Sequence, residues 1–271
     1  MKPLITNSFS RGTTNVTNMA TSVSDSTPRT GSSIGQLFDL CGITREHTFY
    51  DQNYRFHHSK IKAGQCVHAS GDECKAVHLV FSGFLKNTWT DKDGTEKVIN
   101  FPMKNELVGL DAIAPRKYTN TLTALSDCEL ITIPIEFLNR HEIASEILKL
   151  HLITEMSKQL VNEQKILFVT SCLPADARVA KFLLSLSFKF KTLGFSEKSF
   201  LLRMKQEDIG SHLGLTNETV SRTLSALCDL GLMKKNNRQI DILDFDALMK
   251  FRRLPANLNY GRNRAKSVSY S

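Results

Sequence analysis

The sequence predicts an α+β protein in three parts: an N-terminal β-roll, a long helix, and a C-terminal winged helix-turn-helix. Three observations predict it. Over residues 64–133, short strand-like apolar runs are punctuated by glycine. Residues 135–170 then carry a helical pattern without a single Gly or Pro. Residues 204–231, MKQEDIGSHLGLTNETVSRTLSALCDLG, spell out helix, glycine turn and helix.

In the first part, the run VHLVF at 77–81 ends at Ser82-Gly83, and residues 84–90 follow it. DKDG at 91–94 is a turn signal between two strand candidates. Residues 98–101, 106–109, 119–125 and 129–133 continue the series. Short strands at this spacing favour an all-β barrel or roll, whose interior is filled by side chains or by a small ligand.

In the second part, Ile153, Met156, Leu160 and Leu167 recur at three- and four-residue spacing, with Glu163 and Thr170 on the same stripe. That is a coiled-coil-like seam with two polar interruptions. The run 141–171 would span about 45 Å at 1.5 Å per residue. A helix that long outruns one small roll, so a dimer seam is expected, with Glu163 facing its symmetry mate. The competing reading is a stripe that simply packs on its own β domain.

After Pro174 an amphipathic helix is expected over 175–193, carrying Val179, Phe182, Leu183, Leu186 and Phe190 on one face, with Gly194 closing it. A short strand follows at 200–203. The first helix of the next motif spans 206–213, where Ile209 and Leu213 point inward. Gly210 is small where a second helix must cross closely, and Gly214 permits the sharp turn. Thr216 is a suitable N-cap for the second helix, 217–230. Val220, Leu224 and Leu227 face inward, and Gly231 stops it.

In a helix-turn-helix the exposed N-terminal residues of the second helix reach base edges in the major groove. Here those are Asn217, Glu218, Ser221 and Arg222. Arg suits bidentate bonding to guanine, and Glu accepts from cytosine N4. The plainer alternative is an ordinary surface ion pair between Glu218 and Arg222, four residues apart. Thr216, Asn217 and Thr219 read as capping or phosphate-positioning groups. Residues 232–242 read as a hairpin whose Lys234, Lys235 and Arg238 fit backbone phosphate contacts or, equally, a solvated turn.

Charge supports this division. The 271 residues, enough for about two domains, carry 35 Lys and Arg against 27 Asp and Glu. Residues 172–271 hold 17 of the bases and only 9 of the acids, while the rest of the chain is neutral. A uniformly basic coat is excluded, and the C-terminal part is where a polyanion would bind. Five of those bases lie in residues 252–271, so the folded 172–251 unit is only modestly basic and its specificity should rest on the recognition helix.

The expected divisions are a Ser/Thr-rich tail 1–33, a sensor roll 34–140, a dimerisation helix 141–171, the DNA-binding unit 172–251 and a basic tail 252–271. The first tail has the composition of a disordered segment and also overlaps with that of organelle transit peptides. No apolar run approaches the roughly 20 residues of a membrane span. Without a secretion signal the expected location is the cytoplasm. Six scattered cysteines with no C-x-x-C pair do not make a zinc or iron–sulfur motif and read as reduced thiols.

The order of these parts resembles the CRP–FNR family of bacterial transcription regulators over about residues 34–250. ELVGLDAI at 106–113, LRM at 202–204, DIG at 208–210, LGLT at 213–216 and ETVSR at 218–222 resemble its FNR-type branch. The resemblance implies that the roll is a cyclic-nucleotide-binding-like jelly roll. It implies a homodimer on an inverted repeat, TTGAT-N4-ATCAA or a near relative, with Glu218, Ser221 and Arg222 reading each half-site. It also implies activation, or dual control, of promoters through RNA polymerase, with the loop at 104–111 as one contact.

Two departures bear on cofactors. Cys41 is the one cysteine near the iron–sulfur positions of that branch, and Ile131 stands where the roll cysteine would align. The cyclic-nucleotide branch needs an acid after the roll glycine and an Arg-Ser pair some eleven residues on. Here Leu110 follows Gly109, and Asn120-Thr121 fills the other place, which would leave a phosphate without a cation at a cost of several kcal/mol. No cofactor is expected; haem, weighed on His57, His58, His68 and His78, is the weaker reading. The rival outside this class is a cupin-like metal or small-molecule protein with only secondary DNA binding. It lacks the His-x-His spacing usual for that site, and no enzyme activity is expected.

Overall fold

A computed structural model describes residues 31–44 and 54–251. The expectations for residues 1–30 and 252–271 lie outside them. Strand pairing is already present just before residue 34. Strand β1 (Gly31–Ser33) pairs antiparallel with β2 (Arg55–Ile61), and Ser33 caps helix α1 (Ile34–Leu40) with Gln36 reciprocating. A Cβ on Gly31 would meet the Phe56 carbonyl at 2.7 Å, which is why this edge is so closely applied.

The roll continues through β3 (Cys66–His68), β4 (Ala76–Ser82), β5 (Leu85–Thr90), β6 (Glu96–Asn100), β7 (Leu107–Val108), β8 (Thr121–Ala124) and β9 (Cys128–Pro134). Two sheets form, in the orders β1-β2-β9-β4-β7 and β3-β8-β5-β6. β9 is buried on both faces: Ile131 and Ile133 pack with Phe56, Leu79 and Phe137, and Leu130 on the other face packs with Val80, Leu85 and Leu122. Burying one such side chain is worth about 1.5–3 kcal/mol.

The helical pattern over 135–170 is two helices, not one. α2 (Ile135–Leu138) ends at Asn139, and α3 (Ile143–Cys172) starts after residues 139–142. The Ser145 hydroxyl donates to the Glu142 carbonyl at 2.9 Å and to that of Arg140, which fixes the corner. Periodicity does not see such a break, because no Gly or Pro marks it.

α3 is apolar on two opposite sides. Ala144, Leu148 and Leu152 are buried against the roll, and Gln159 Nε2 donates to the Leu107 carbonyl. The stripe Ile153, Met156, Leu160 and Leu167 is 43–67% exposed in the single chain. So the stripe does not pack on its own β domain. Leu150, Val161 and Phe168, exposed beside it, widen the apolar side. Glu163 is exposed within it.

α4 (Ala175–Thr192) buries Val179, Phe182, Leu183, Leu186 and Phe190, and Arg178 ties it to the turn beyond by donating to the Leu173 and Leu213 carbonyls. β10 (Ser199–Leu201), α5 (Gln206–Leu213), α6 (Asn217–Asp229), β11 (Met233–Asn236), β12 (Gln239–Ile242) and α7 (Phe245–Lys250) complete the chain. The small sheet runs β10-β12-β11.

The roll and the C-terminal unit share a core. Val98, Phe101 and Met103 of the roll side pack with Phe182, Ile209 and Leu213. Ser211 receives the Val98 amide on its Oγ at 2.9 Å and the Lys97 ammonium on its carbonyl at 3.1 Å. Lys189 pairs with Glu106 at 2.6 Å. That contact occupies part of the 104–111 loop, where Lys104, Asn105 and Asp111 are the exposed residues.

Candidate nucleic-acid interface

The helix-turn-helix is set by short-range chemistry. The Asp208 carboxylate accepts from the Lys205 amide at 3.0 Å and starts α5. Gly214, at φ +66°, turns the chain, and the Leu215 amide donates back to the Gly210 carbonyl at 2.9 Å. Gly210 is required there because a Cβ would stand 2.7 Å from the Leu215 carbonyl oxygen. The close partner is thus the turn backbone, not the second helix that the sequence suggested.

Thr216 caps α6: its Oγ1 accepts from the Thr219 amide at 3.2 Å and lies 2.9 Å from the Thr219 hydroxyl. The two threonines therefore spend part of their hydrogen-bonding capacity on the cap. Val220, Leu224 and Leu227 anchor the helix inward. That leaves Asn217, Glu218, Ser221 and Arg222 exposed on the outer face. Among the described residues neither Glu218 nor Arg222 forms an ion pair. The side chains four apart are presented to solvent instead of to each other.

The hairpin β11–β12 turns at Asn237, with φ +54°, and exposes Lys234, Lys235 and Arg238. A cleft of about 340 Å³ separates this wing from the starts of α5 and α6. It brings together Asn217, Lys235 and Arg238 with two residues the sequence reading missed, Lys205 and Asn237. Lys205 has a visible sign in the sequence: it precedes the first helix of the motif, where a backbone phosphate passes in such complexes. Thr216, Thr219 and Lys234 are not in the cleft wall.

The roll carries the second place to examine. Gly109, at φ +83°, leads into a single 3₁₀ turn, Leu110–Ala112, with Leu110 buried. The Asp111 carboxylate accepts from the Thr119 hydroxyl and, at 3.1 Å, from Asn120 Nδ2. A carboxylate, not a cation, thus sits at the centre of this polar cluster. Deeper in, His68 stacks on Tyr118 with ring centroids 3.6 Å apart and faces His78 at 6.3 Å. Burial holds both imidazoles at about 4, well below the usual histidine value.

The thiols are scattered as the sequence suggested. Burial pushes Cys41 up to about 12, so its thiolate is disfavoured. Ile131 is fully buried in the sheet. Among the described residues no group of three His, Cys, Asp or Glu is placed to hold a metal ion. No helix among them is long and apolar enough to cross a membrane.

A roll of the cyclic-nucleotide-binding type, a long helix and a winged helix-turn-helix define the class of two-domain transcription regulators. Residues 58–141 match the cyclic nucleotide-binding domain, and residues 177–251 match the Crp-like helix-turn-helix domain. The chain is 32% identical over 189 residues to the transcriptional regulatory protein btr of Bordetella pertussis, covering 70% of this chain and 78% of that one. It is 33% identical over 184 residues to the transcriptional activator protein FnrA of Stutzerimonas stutzeri, covering 68% and 75% respectively. In fold it is similar to FixK2 from Bradyrhizobium japonicum, with a TM-score of 0.66 at 21% identity over 75% of this chain and all of that one. This chain belongs to the CRP/FNR family of transcription regulators, with a helix-turn-helix DNA-binding domain. The cupin-like alternative is not favoured.

Proposed function

We propose that the protein is a homodimeric, non-enzymatic activator that binds an inverted repeat of the TTGAT-N4-ATCAA type. Glu218, Ser221 and Arg222 read each half-site. Thr216, Asn217, Thr219, Lys234, Lys235 and Arg238, joined by Lys205, hold the phosphates. The observation that carries this reading is the outer face of α6: Glu218 and Arg222, without an ion pair among the described residues, stand beside a cleft with three cations and the single acid Glu207.

The exposed apolar side of α3 supports dimerisation through Ile153, Met156, Leu160 and Leu167, with Glu163 tuning it. Two recognition helices related by a two-fold axis would enter the major groove about one helical turn apart. RNA polymerase is the partner implied for an activator. Its contact with the 104–111 loop is narrowed to the residues that Glu106 leaves free.

The chemistry of the roll speaks against cyclic AMP and against an iron–sulfur cluster as signals. Asp111 puts a carboxylate beside Thr119 and Asn120, where it would repel a phosphate, and no second thiol accompanies Cys41. The packing of His68 and His78 into the roll as buried neutral rings speaks against haem. The test is footprinting of the purified protein on promoter fragments, with absorbance spectra of anaerobically purified material. Protection of a two-fold repeat by colourless protein supports the reading, and sequence-independent protection overturns it.

A further inference from the structure

At the junction of the two units lies a cavity of about 220 Å³. Four elements wall it: Phe101 follows β6 of the roll, Ile166 is on α3, Phe182 on α4 and Leu213 on α5. It is therefore separate from the DNA cleft and from the roll interior. Its polar features are asymmetric. Lys165, Lys181 and Lys189 line it and no carboxylate does; Lys189 is paired with Glu106 from outside the lining, and Lys181 donates to the Met249 carbonyl at 3.3 Å. Lys165 is exposed and makes no ion pair among the described residues. Asn100 also lines it, and its Oδ1 is buried with no hydrogen-bond partner.

A buried amide oxygen without a donor costs the full desolvation of that group. An apolar wall, two lysines with no acid in the lining to pair them, and an orphaned acceptor together describe the complement of one kind of molecule. We infer that this interdomain cavity is a binding site for a small amphipathic organic monoanion. Its body is aromatic or branched apolar, its carboxylate meets Lys165 and Lys181, and a hydroxyl or N–H donates to Asn100 Oδ1. The volume lies below the 300–1,000 Å³ usual for drug-sized ligands, so the ligand is small. Because the roll, the long helix and the helix-turn-helix all contribute walls, occupancy favours the docked arrangement of the two units over any other. The site thereby couples to DNA affinity.

The probe is 6-hydroxy-2-naphthoate, which places a hydroxyl and a carboxylate at opposite ends of a fluorescent apolar body. Titration of the full chain without DNA should give saturable binding at one site per subunit. 2-Naphthoate, lacking the hydroxyl, and 2-naphthol, lacking the carboxylate, should each bind about tenfold more weakly, the loss of roughly one hydrogen bond or one ion contact. Ile166→Trp fills the cavity and should abolish binding while the circular dichroism spectrum is retained. Lys165→Glu, at an exposed position that no packing depends on, should weaken binding at least fivefold and serves if the first variant does not fold. Absence of saturable binding, or equal binding by these variants, overturns the site. The operator Kd at saturating probe should shift at least threefold, and an unchanged value removes the coupling. Since binding is read without DNA, its failure is distinct from a failure of the DNA-binding reading.

Discussion

Lys86 Nζ stands 2.7 Å from Asp208 Oδ1, which ties a strand of the roll to the first helix of the helix-turn-helix. Both side chains are largely covered, at 25% and 11% exposure, so this ion pair is better shielded than a surface one. Asp208 also receives the Lys205 amide, so a single carboxylate starts α5 and anchors it to the other unit.

Lys86→Ala leaves that carboxylate covered and without its cation. The expected loss is about 1–3 kcal/mol, the range for hydrogen bonds to charged groups and for a covered group left unsatisfied. Urea denaturation of the full chain reads it, and limited proteolysis between the units should speed up. A denaturation midpoint equal to wild type would show that the pair makes no net contribution to stability.

The second prediction concerns readout. Arg222→Ala should cost about 1–3 kcal/mol on the cognate repeat and leave binding to scrambled DNA almost unchanged. Glu218→Gln should relax preference at one base pair per half-site. Lys235→Ala, by contrast, should weaken cognate and scrambled DNA alike and lower the salt slope by about one. Competition binding at two salt concentrations separates these patterns. Equal losses on both DNAs for Arg222→Ala would assign that guanidinium to a phosphate.

The helix-turn-helix was legible because its signals are local. Gly210, Gly214, Thr216 and Gly231 each answer to the residues beside them in the chain, and α5 has the bounds read from the sequence. β2 was not legible, since in RFHHSKI only Phe56 is buried and no alternation of apolar residues marks the strand. α1, with Ile34, Leu37 and Phe38, is too short for periodicity to set it apart from a loop. The contact between Lys86 and Asp208 spans 122 positions, and nothing in either neighbourhood announces the other. For α3 the stripe was visible, but apolar residues on both sides blur the period, so Leu150, Val161 and Phe168 escaped notice.

The third prediction is a pH dependence. Burial holds His68, His78 and His212 at about 4, so all three are neutral in the folded chain near pH 7. Unfolded, each would titrate near 6.5. Above 6.5 both states are neutral and stability is at its full value. As pH falls from 6.5 to about 4, the unfolded chain takes up protons that the folded chain refuses. Stability then drops by about 1.4 kcal/mol per pH unit for each histidine. His212→Phe, which keeps the ring between Phe101 and Phe182, should flatten that slope by one proton. Urea midpoints at pH 7, 6 and 5 measure it, and a flat series for the wild type would contradict the buried neutral state.

The fourth prediction weighs the two ends of one seam. Leu160 is 57% exposed in the single chain, in the middle of the apolar side of α3 that the roll does not cover. Pairing two such helices buries Leu160 twice, once per subunit, so the contribution of one position is doubled. Leu160→Asp would place two carboxylates in that apolar contact, and sedimentation should show the dimer dissociating at concentrations where the wild type is paired. Glu163 lies on the same stripe, and in the pair its carboxylate would face its own copy, where like charges at neighbouring positions destabilise. Glu163→Ala should therefore raise the dimer fraction, and operator affinity with it, because only the pair spans both half-sites. If Leu160→Asp leaves the dimer intact, pairing does not run through this stripe. If Glu163→Ala gives no gain, the two carboxylates lie too far apart to repel, and the helices cross before they reach residue 163.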